Sequence, residues 1–189
     1  MQEFPDAEVT AIDADIEYIT NAMNTYKSSN LHFVHSKIVD FETKSDFDLV
    51  VFSEVIEHLP NVGMNLDVIN RLTAEKGILF VTTDNAYFLK FLLADIYYCL
   101  TKRKPNLYLW HHQDRYYWWA HHIYSWTLST LGTLMSLYGY DLQHFWFTNH
   151  GWAKRLDDIA FDLIGTLIPC FRRKIILELR KTNKPTIVF

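Results

Sequence analysis

Acidic and hydroxyl side chains follow two of the apolar runs in this sequence. Asp13 closes the run VTAID, and Ser53 and Glu54 close the run DLVVFSE. Ligands of open parallel sheets bind outside the carboxyl ends of the strands, so these three side chains are expected at a binding edge. An acid at such a strand end can accept hydrogen bonds from both hydroxyls of a ribose, which predicts a ligand that contains a nucleoside.

Glu57 and His58 follow shortly after Glu54 and add a carboxylate and an imidazole. The i, i+4 spacing of Glu54 and His58 would put both side chains on one face of a helix. His58 is the candidate general base, which a reaction needs only where an acceptor hydroxyl or amine must lose its proton. A histidine that is hydrogen-bonded for structural reasons at the start of a helix is the alternative.

A segment rich in aromatic and histidine residues spans 106–124, with the sequence NLYLWHHQDRYYWWAHHIY. Because it has no clean period, we expect loops and short helix that lie over a binding face. The side chains expected to contact a substrate are His111, His112, Tyr116 and Trp119. A lid that packs on the sheet is the alternative. The adjacent histidine pairs do not predict a metal cluster, because the side chains of neighbouring residues usually point apart.

The composition is that of one globular domain over residues 1–189, with an insertion at about 104–124: the chain is 49% hydrophobic and 21% charged. A formal net charge of -4 argues against a nucleic-acid partner, because that affinity rests on clustered Lys and Arg. Cys99 and Cys170 form no metal-binding pattern, and residues 1–10 contain no apolar run, so we expect a cytoplasmic protein without a signal peptide. Residues 116–140 lack charged groups, but their many hydrogen-bonding side chains argue against a transmembrane span.

Short apolar runs alternate with amphipathic segments, which predicts an α/β fold with a parallel sheet. Strands are predicted at 9–13, 31–35, 48–53, 77–83, 140–148 and 174–180. Helices are predicted at 15–26, 61–72, 85–100, 125–138 and 154–168.

Several of these elements carry more detailed expectations. Asp15 and Ser125 are the predicted N-caps of their helices, and Gly139 is a predicted helix end. The unbroken apolar centre of 48–53 predicts a central strand that is buried on both faces. In the helix at 154–168, Leu163 and Leu167 are expected to face inward.

Three stretches, in order, resemble class I S-adenosylmethionine-dependent methyltransferases of the branch that modifies quinones, glycans and other small molecules. They are VTAIDAD from Val9, FDLVVFSEVIEHLPN from Phe47 and GILFVTT from Gly77. The second stretch is the specific one, because residue type and spacing match over all of its positions. Residues 125–142 are similar to the helix and strand near the family's C-terminal half. VTAID alone would describe a nicotinamide-binding Rossmann domain equally well.

The resemblance implies a Rossmann-like sheet, mostly parallel with an antiparallel C-terminal strand. It implies methyl transfer from S-adenosylmethionine to an oxygen or nitrogen atom of a small molecule, a glycan or a lipid-linked precursor. By the same resemblance, Asp13 anchors the cofactor ribose and Ala14 borders the adenosine. Ser53 and Glu54 then line the methyl-donor side of the pocket.

Two positions depart from the family pattern or leave a role open. After the second strand, Ser36 and Lys37 stand where the family places an acid that reaches the adenine amino group. A lysine cannot accept that hydrogen bond, which leaves Ser36 or a backbone carbonyl as the acceptor.

Some quinone-pathway relatives hold a divalent metal at positions similar to Glu54, Glu57 and His58. Because these three residues have no obvious fourth partner, no metal site is predicted.

The resemblance also reveals a departure at the N-terminus. The family's first strand, glycine-rich turn and first helix should precede Val9, and no two glycines of this sequence have GxG spacing. In the family's own numbering the strand order is 3-2-1-4-5-7-6, so loss of strand 1 leaves two facing edges unpaired. We therefore expect the chain to be destabilised unless a homo-oligomer or a partner chain supplies that strand, or unless this sequence starts downstream of the natural start of the protein. Two rival hypotheses are a non-catalytic Rossmann-like remnant that acts as an interaction module, and a histidine-metal hydrolase.

Overall fold

The computed structural model describes residues 6–102, 122–149 and 156–182. The strands in these ranges are β1 (Val9–Asp13), β2 (Leu31–His35), β3 (Phe47–Ser53), β4 (Thr73–Asp84), β5 (Tyr140–Thr148) and β6 (Lys174–Lys181). The helices are α1 (Ile16–Thr25), α2 (Val62–Leu72), α3 (Leu89–Thr101), α4 (Leu128–Leu137) and α5 (Leu156–Leu167). Short 3₁₀ turns lie at Ile38–Asp40, Ile56–His58 and Pro169–Phe171. The predicted α/β fold class is confirmed.

The strands form two sheets. β1 and β2 are a parallel pair, with Val9 opposite Leu31 and Asp13 opposite His35. The other strands form a sheet in the order β3-β4-β6-β5, in which β3 and β4 are parallel and β6 runs antiparallel to both of its neighbours. This is the order that the resemblance implies once strand 1 is removed. Within the described ranges, β1 pairs only with β2 and β3 only with β4, so the prediction of two open edges is confirmed.

One face of the four-stranded sheet carries the main core. Side chains alternate between the faces of a strand, so every second residue of β4 and β6 reaches this core. The buried side chains from the sheet, α2 and α4 that pack there include Phe52, Leu66, Ile69, Leu79, Val81, Leu131, Met135, Leu177 and Leu179. Tyr140 is buried among them, and its hydroxyl lies 2.9 Å from that of Thr73. Burial raises the pKa of Tyr140 to about 12, so this phenol stays neutral.

Local capping interactions set the ends of the helices. The Asp15 carboxylate accepts a hydrogen bond from the Glu17 N–H at 2.8 Å, which confirms Asp15 as the cap of α1. The prediction of Ser125 as a cap was wrong. Thr127 caps α4 instead, through a reciprocal pair of hydrogen bonds with Thr130 that satisfies two backbone N–H groups at once. Gly139 ends the turn after α4 with a φ of 83°, a conformation that favours glycine.

Three sequence-based expectations about burial and extent were wrong. β3 is not covered on both faces: Val51 is 66% exposed and Leu49 also faces outward, since within the described ranges β3 has one strand neighbour. α3 begins at Leu89 because Asn85 is drawn into a bridge with Trp126. In α5, Leu163 and Leu167 are exposed rather than inward-facing. Across the described part of the chain, no helix combines the length and the apolar character that a membrane crossing requires.

The core assignment predicts the cost of shortening a buried side chain. Leu131 is fully buried in α4, so Leu131→Ala should lower the free energy of unfolding by about 2–5 kcal/mol through lost burial and a residual cavity. Leu142 on β5 is exposed, and Leu142→Ala should change that free energy by only about 0.5 kcal/mol. Urea unfolding followed by circular dichroism measures both. Equal losses in the two variants would contradict the core described above.

Candidate functional site

The carboxyl ends of β1 and β2 form one half of the candidate site. Asp13 Oδ1 accepts a hydrogen bond from the Asp15 N–H at 2.8 Å, and the Ser36 N–H donates to the Asp13 carbonyl at 3.0 Å. His35 Nε2 lies 3.0 Å from the Ala14 carbonyl. The structure therefore brings the predicted residues Asp13, Ala14 and Ser36 together at one strand end. The Asp13 carboxylate is exposed there and has lone pairs for further hydrogen bonds, since each carboxylate oxygen has two.

Ser36 is half-buried, and its hydroxyl donates to the carbonyl of Lys37 at 2.9 Å. A hydroxyl that donates in this way keeps its acceptor capacity, which is what an adenine amino group requires. The Lys37 side chain is exposed. The role of Ser36 in adenine binding stays a prediction.

The carboxyl ends of β3 and β4 form the other half. The Ser53 and Thr82 hydroxyls lie 2.8 Å apart, and the Thr82 hydroxyl donates to Glu54 Oε1 at 2.9 Å. The Glu54 N–H donates to the Thr82 carbonyl at 3.0 Å and extends the ladder past the end of β3. The two predicted donor-side residues, Ser53 and Glu54, are therefore held by a neighbouring strand rather than by a loop.

The expectation that Glu54 and His58 share a helix face was wrong. Glu54 has a φ of 55°, in the left-handed region, which an α-helix cannot contain. The chain then forms the 3₁₀ turn Ile56–His58 instead of an α-helix. Glu54 is consequently directed to Thr82 and Lys174, while the ring of His58 packs against His122.

Lys174, the first residue of β6, joins two carboxylates at this edge. Its Nζ contacts Glu54 Oε2 and lies 2.5 Å from Asp84 Oδ1. Burial alone would lower the pKa of Lys174, but the charges and hydrogen bonds of Asp84 and Glu54 outweigh burial and raise it. Lys174 is therefore a permanent cation between the two acids.

Asp84 also holds His122. Its Oδ2 lies 2.9 Å from Nδ1 of His122, and this hydrogen bond is the main reason why the pKa of His122 is raised. Burial alone would raise the pKa of Asp84, but the hydrogen bond of His122 and the charge of Lys174 together lower it. The three groups form a continuous polar row at the carboxyl edge of the sheet.

Glu57 lies beside this row and is fully buried. The Thr83 hydroxyl donates to its Oε2 at 2.9 Å, whereas Oε1 is buried and has no hydrogen-bond partner among the described residues. Burial raises the pKa of the Glu57 carboxyl. The Glu57 carbonyl accepts from the N–H groups of Ile123 and Tyr124 at 2.7 and 3.2 Å. These bonds bring residues 122–124 over the end of the sheet.

The residues best placed to hold a metal are Glu57, His58 and His122. One ligand atom from each lies within 4.8 Å of the others, and the two imidazole centroids are 4.7 Å apart. Zinc ligands at ~2.0–2.2 Å from one ion lie about 3.3–3.6 Å apart, so the three side chains would have to move closer together to share one ion. The Asp84 carboxylate is hydrogen-bonded to Nδ1 of His122, which leaves Nε2 for metal coordination. Metal-bound histidines are commonly held by a carboxylate on their other ring nitrogen in the same way.

Sequence analysis missed Asp84 and Lys174 as neighbours of the site, whereas His122 belongs to the segment that was expected to lie over a binding face. Asp84 follows GILFVTT as Asp13 follows VTAI, so the same strand-end rule would have found it. Lys174 gave no such signal, and only the folded chain brings Lys174 and His122 to Asp84. The predicted substrate residues His111, His112, Tyr116 and Trp119 lie outside the described residues.

Comparison with known proteins decides the family. A model of a methyltransferase domain matches residues 1–145. This chain belongs to that methyltransferase family. The membership expected from the three matching stretches is thereby confirmed. None of the curated protein sequences matches this methyltransferase chain significantly.

Solved methyltransferases share the fold. N-methyltransferase NodS from Bradyrhizobium japonicum WM9, in complex with S-adenosylhomocysteine, has a TM-score of 0.55 and 15% identity over 91% of this chain and 65% of its own. The plantazolicin methyltransferase BpumL, in complex with a triazolic desmethylPZN analog and S-adenosylhomocysteine, has a TM-score of 0.59 and 15% identity over 96% of this chain and 70% of its own.

A third structure is the 1,6-didemethyltoxoflavin-N1-methyltransferase of Burkholderia thailandensis, with bound 1,6-didemethyltoxoflavin and S-adenosylhomocysteine. Its TM-score is 0.55, with 14% identity over 93% of this chain and 62% of its own. This methyltransferase chain thus spans about two thirds of the length of NodS and of the Burkholderia enzyme. At these identities the likeness shows a common fold.

Because Asp84 and His122 form a pair, we expect Asp84→Asn to lower the free energy of unfolding of the metal-free protein by an amount that depends on pH. The lowered pKa of Asp84 adds stability above about pH 3.8, which is lost as the pH falls through the folded-state pKa. The raised pKa of His122 adds stability below about pH 6.5, which is lost as the pH rises through its folded-state pKa. The destabilisation by Asp84→Asn should therefore peak between these values, at about 1.5–3 kcal/mol.

Urea unfolding in the presence of a chelator, at a series of pH values, measures this profile. Asp46→Asn, which changes an exposed loop carboxylate, is the control and should change little. A loss of stability in Asp84→Asn that is the same at every pH would contradict the pairing.

Proposed function

We propose that this chain transfers a methyl group from S-adenosylmethionine to an oxygen or nitrogen atom of a small molecule, a glycan or a lipid-linked precursor. The observation that carries the proposal is the pair of strand ends, with Asp13 at the end of β1 and Ser53 and Glu54 at the end of β3, in a chain of the methyltransferase family. Parallel sheets bind nucleotides at this edge. NodS and the Burkholderia enzyme were both crystallised with S-adenosylhomocysteine, which supports the choice of cofactor.

In this proposal Asp13 holds both ribose hydroxyls, Ala14 borders the adenosine and Ser36 accepts from the adenine amino group. Ser53 and Glu54 lie beside the methionine part of the cofactor. A sulfonium methyl group is already activated, so catalysis requires mainly in-line positioning of donor and acceptor. His58 takes the proton of an acceptor hydroxyl or amine as the new bond to the methyl carbon forms. The acceptor pocket is proposed to include His111, His112, Tyr116 and Trp119.

Asp13→Asn should weaken S-adenosylhomocysteine binding, because the ribose loses a charged acceptor. Hydrogen bonds to charged groups contribute roughly 1.5–3 kcal/mol, which corresponds to about a 10- to 150-fold higher dissociation constant. Isothermal titration calorimetry measures this dissociation constant. Asp46→Asn, an equivalent change at an exposed loop position, should leave binding unchanged.

The proposal fails if S-adenosylhomocysteine binds neither this chain nor a version extended at its N-terminus by a glycine-rich strand, turn and helix. That result would favour the non-catalytic interaction module. Binding only by the extended version would support the proposed function and locate the missing contact in the glycine-rich turn.

We further propose that another strand lies between β1 and β3 in the working protein. The support is that both strands present unpaired edges within the described ranges and that Val51 is exposed beside one of them. Preceding residues, a second copy or a partner chain can supply it.

Two exposed, unbridged thiols, Cys99 and Cys170, are consistent with a reducing, cytoplasmic location.

A second candidate role for the same edge is divalent metal binding by Glu57, His58 and His122. The specific support is the buried Glu57 oxygen that has no hydrogen-bond partner among the described residues, next to two imidazoles. Two imidazoles and a carboxylate suit zinc, iron or manganese. A bound ion would supply a positive charge for an acceptor oxygen, and Glu54 would remain with Lys174 and Thr82.

Titration of untagged, metal-stripped protein with Zn²⁺ tests this role. His122→Ala should abolish stoichiometric binding, because it removes a ligand. Asp84→Asn, which removes only the support of that ligand, should weaken binding about 10- to 100-fold. His144→Ala is the control, since His144 also contacts a carboxylate, Glu178, but lies on β5. Equal binding by all variants would exclude this cluster as the metal site.

A further inference from the structure

Two adjacent threonines at the end of β4 serve opposite faces of the sheet. Side chains alternate along a strand, so Thr82 and Thr83 point to different sides. Thr83 is fully buried and donates to Glu57 on the side of the main core. Thr82 is partly exposed and lies directly opposite Ser53 in the parallel register of β3 and β4. Thr82 therefore belongs to the strand end that carries Ser53 and Glu54.

The side-chain hydrogen bonds at this strand end have a fixed direction. The Thr82 hydroxyl donates to Glu54 Oε1 at 2.9 Å, since an ionised carboxylate only accepts. A hydroxyl has a single proton, so the proton in the 2.8 Å contact between Ser53 and Thr82 comes from Ser53. The donors therefore run from Ser53 to Thr82 to Glu54, and this relay uses the hydroxyl protons of both Ser53 and Thr82.

The capacity that these residues keep for a ligand is that of acceptors. Ser53 is exposed, and its oxygen can still accept after it has donated its proton. Each carboxylate oxygen of Glu54 has a further lone pair. The Glu54 N–H is already used, because it donates to the Thr82 carbonyl at 3.0 Å. Such a set of acceptors suits a cation that donates hydrogen bonds, and it offers nothing to an anionic group.

Lys174 does not reverse this preference. Its Nζ contacts both Glu54 and Asp84, and its side chain is only 18% exposed. Because two carboxylates already flank one ammonium, a third carboxylate beside them would meet more repulsion than attraction. His122 lies against the other oxygen of Asp84 rather than against Glu54. The Glu54 side of the edge therefore favours a positively charged group.

The methionine part of S-adenosylmethionine carries one ammonium and one carboxylate. We propose that Thr82 is a positioning residue, which fixes Ser53 and Glu54 as acceptors for that ammonium group. Thr82 acts through these two side chains, and the direction of its hydrogen bonds sets which way the methionine part lies in the pocket. This role rests on the proposed function, because it refines the part that Ser53 and Glu54 play in the same site.

Thr82→Val tests this role, because it removes the hydroxyl and keeps a β-branched side chain that suits a strand. Ser53 can then donate elsewhere and Glu54 loses a hydrogen bond, so the dissociation constant of S-adenosylhomocysteine should rise about 2- to 12-fold. Thr82→Ser keeps the hydroxyl and should bind nearly as the parent does. Thr10→Val, the same change on β1, is the matched control and should leave binding unchanged. Isothermal titration calorimetry on the form of the chain that binds S-adenosylhomocysteine measures these constants.

Two analogues of S-adenosylhomocysteine separate this role from a general loss of structure. The analogue without the α-amino group should bind Thr82→Val and the parent equally, because it lacks the group that the acceptors hold. The analogue without the carboxyl group keeps the ammonium and should show the full loss. Ser53→Ala, at an exposed position, should give the same pattern and serves as an independent variant if Thr82→Val does not fold.

Two results would overturn the positioning role. An equal loss for all three ligands would show that Thr82 only holds the strand end together. A loss confined to the ligands that carry the carboxyl group would assign the opposite polarity.

Failure of this role is distinguishable from failure of the proposed function. If Asp13→Asn weakens S-adenosylhomocysteine binding and neither Thr82→Val nor Ser53→Ala does, the cofactor site stands and the relay has no part in it. If no form of the chain binds S-adenosylhomocysteine, both are wrong.

Discussion

A single cation fixes the carboxyl edge of the four-stranded sheet. Lys174 contacts Glu54 after β3 and Asp84 at the end of β4, while its own backbone begins β6. Without that cation, two carboxylates would face each other in a partly buried place, where their repulsion is weakly screened. Lys174 thus contacts both the carboxylate of Glu54, a residue with a left-handed backbone, and that of Asp84, which holds His122.

The sheet topology explains why residues so far apart in sequence meet. The crossover through α2 brings β4 parallel to β3, so Glu54 and Asp84 end at the same edge. β6 enters antiparallel between β4 and β5, which puts its first residue, rather than its last, at that edge. An antiparallel strand is therefore what allows a basic side chain to face the strand-end acids of its neighbour.

The two halves of the proposed cofactor site rest on separate sheets. Asp13 belongs to the β1–β2 pair and Ser53 to the four-stranded sheet, and within the described ranges no strand hydrogen-bonds to both. The exposed side chain of Val51 lies on the strand that faces this break. The geometry of the proposed cofactor site therefore depends on completion of the sheet, because a strand that joined the two sheets would also set the distance between the two sets of cofactor contacts.

The sequence alone determined the strand and helix order, the cap Asp15, and the strand-end positions of Asp13, Ser53 and Glu54. These follow from local periodicity and capping chemistry, which act over a few residues. Residue type and spacing over FDLVVFSEVIEHLPN identified the family in the same local way.

Only the tertiary structure decided which groups face each other. The Glu54 conformation broke the expected helix, and long-range contacts made Lys174, Asp84 and His122 neighbours. Leu163 and Leu167 face outward in the structure. The sequence could not show this, because apolar residues have the same spacing in a helix whose apolar face is buried and in one whose apolar face is exposed. Periodicity defines a face of a helix, but the elements that pack around that helix decide what the face contacts.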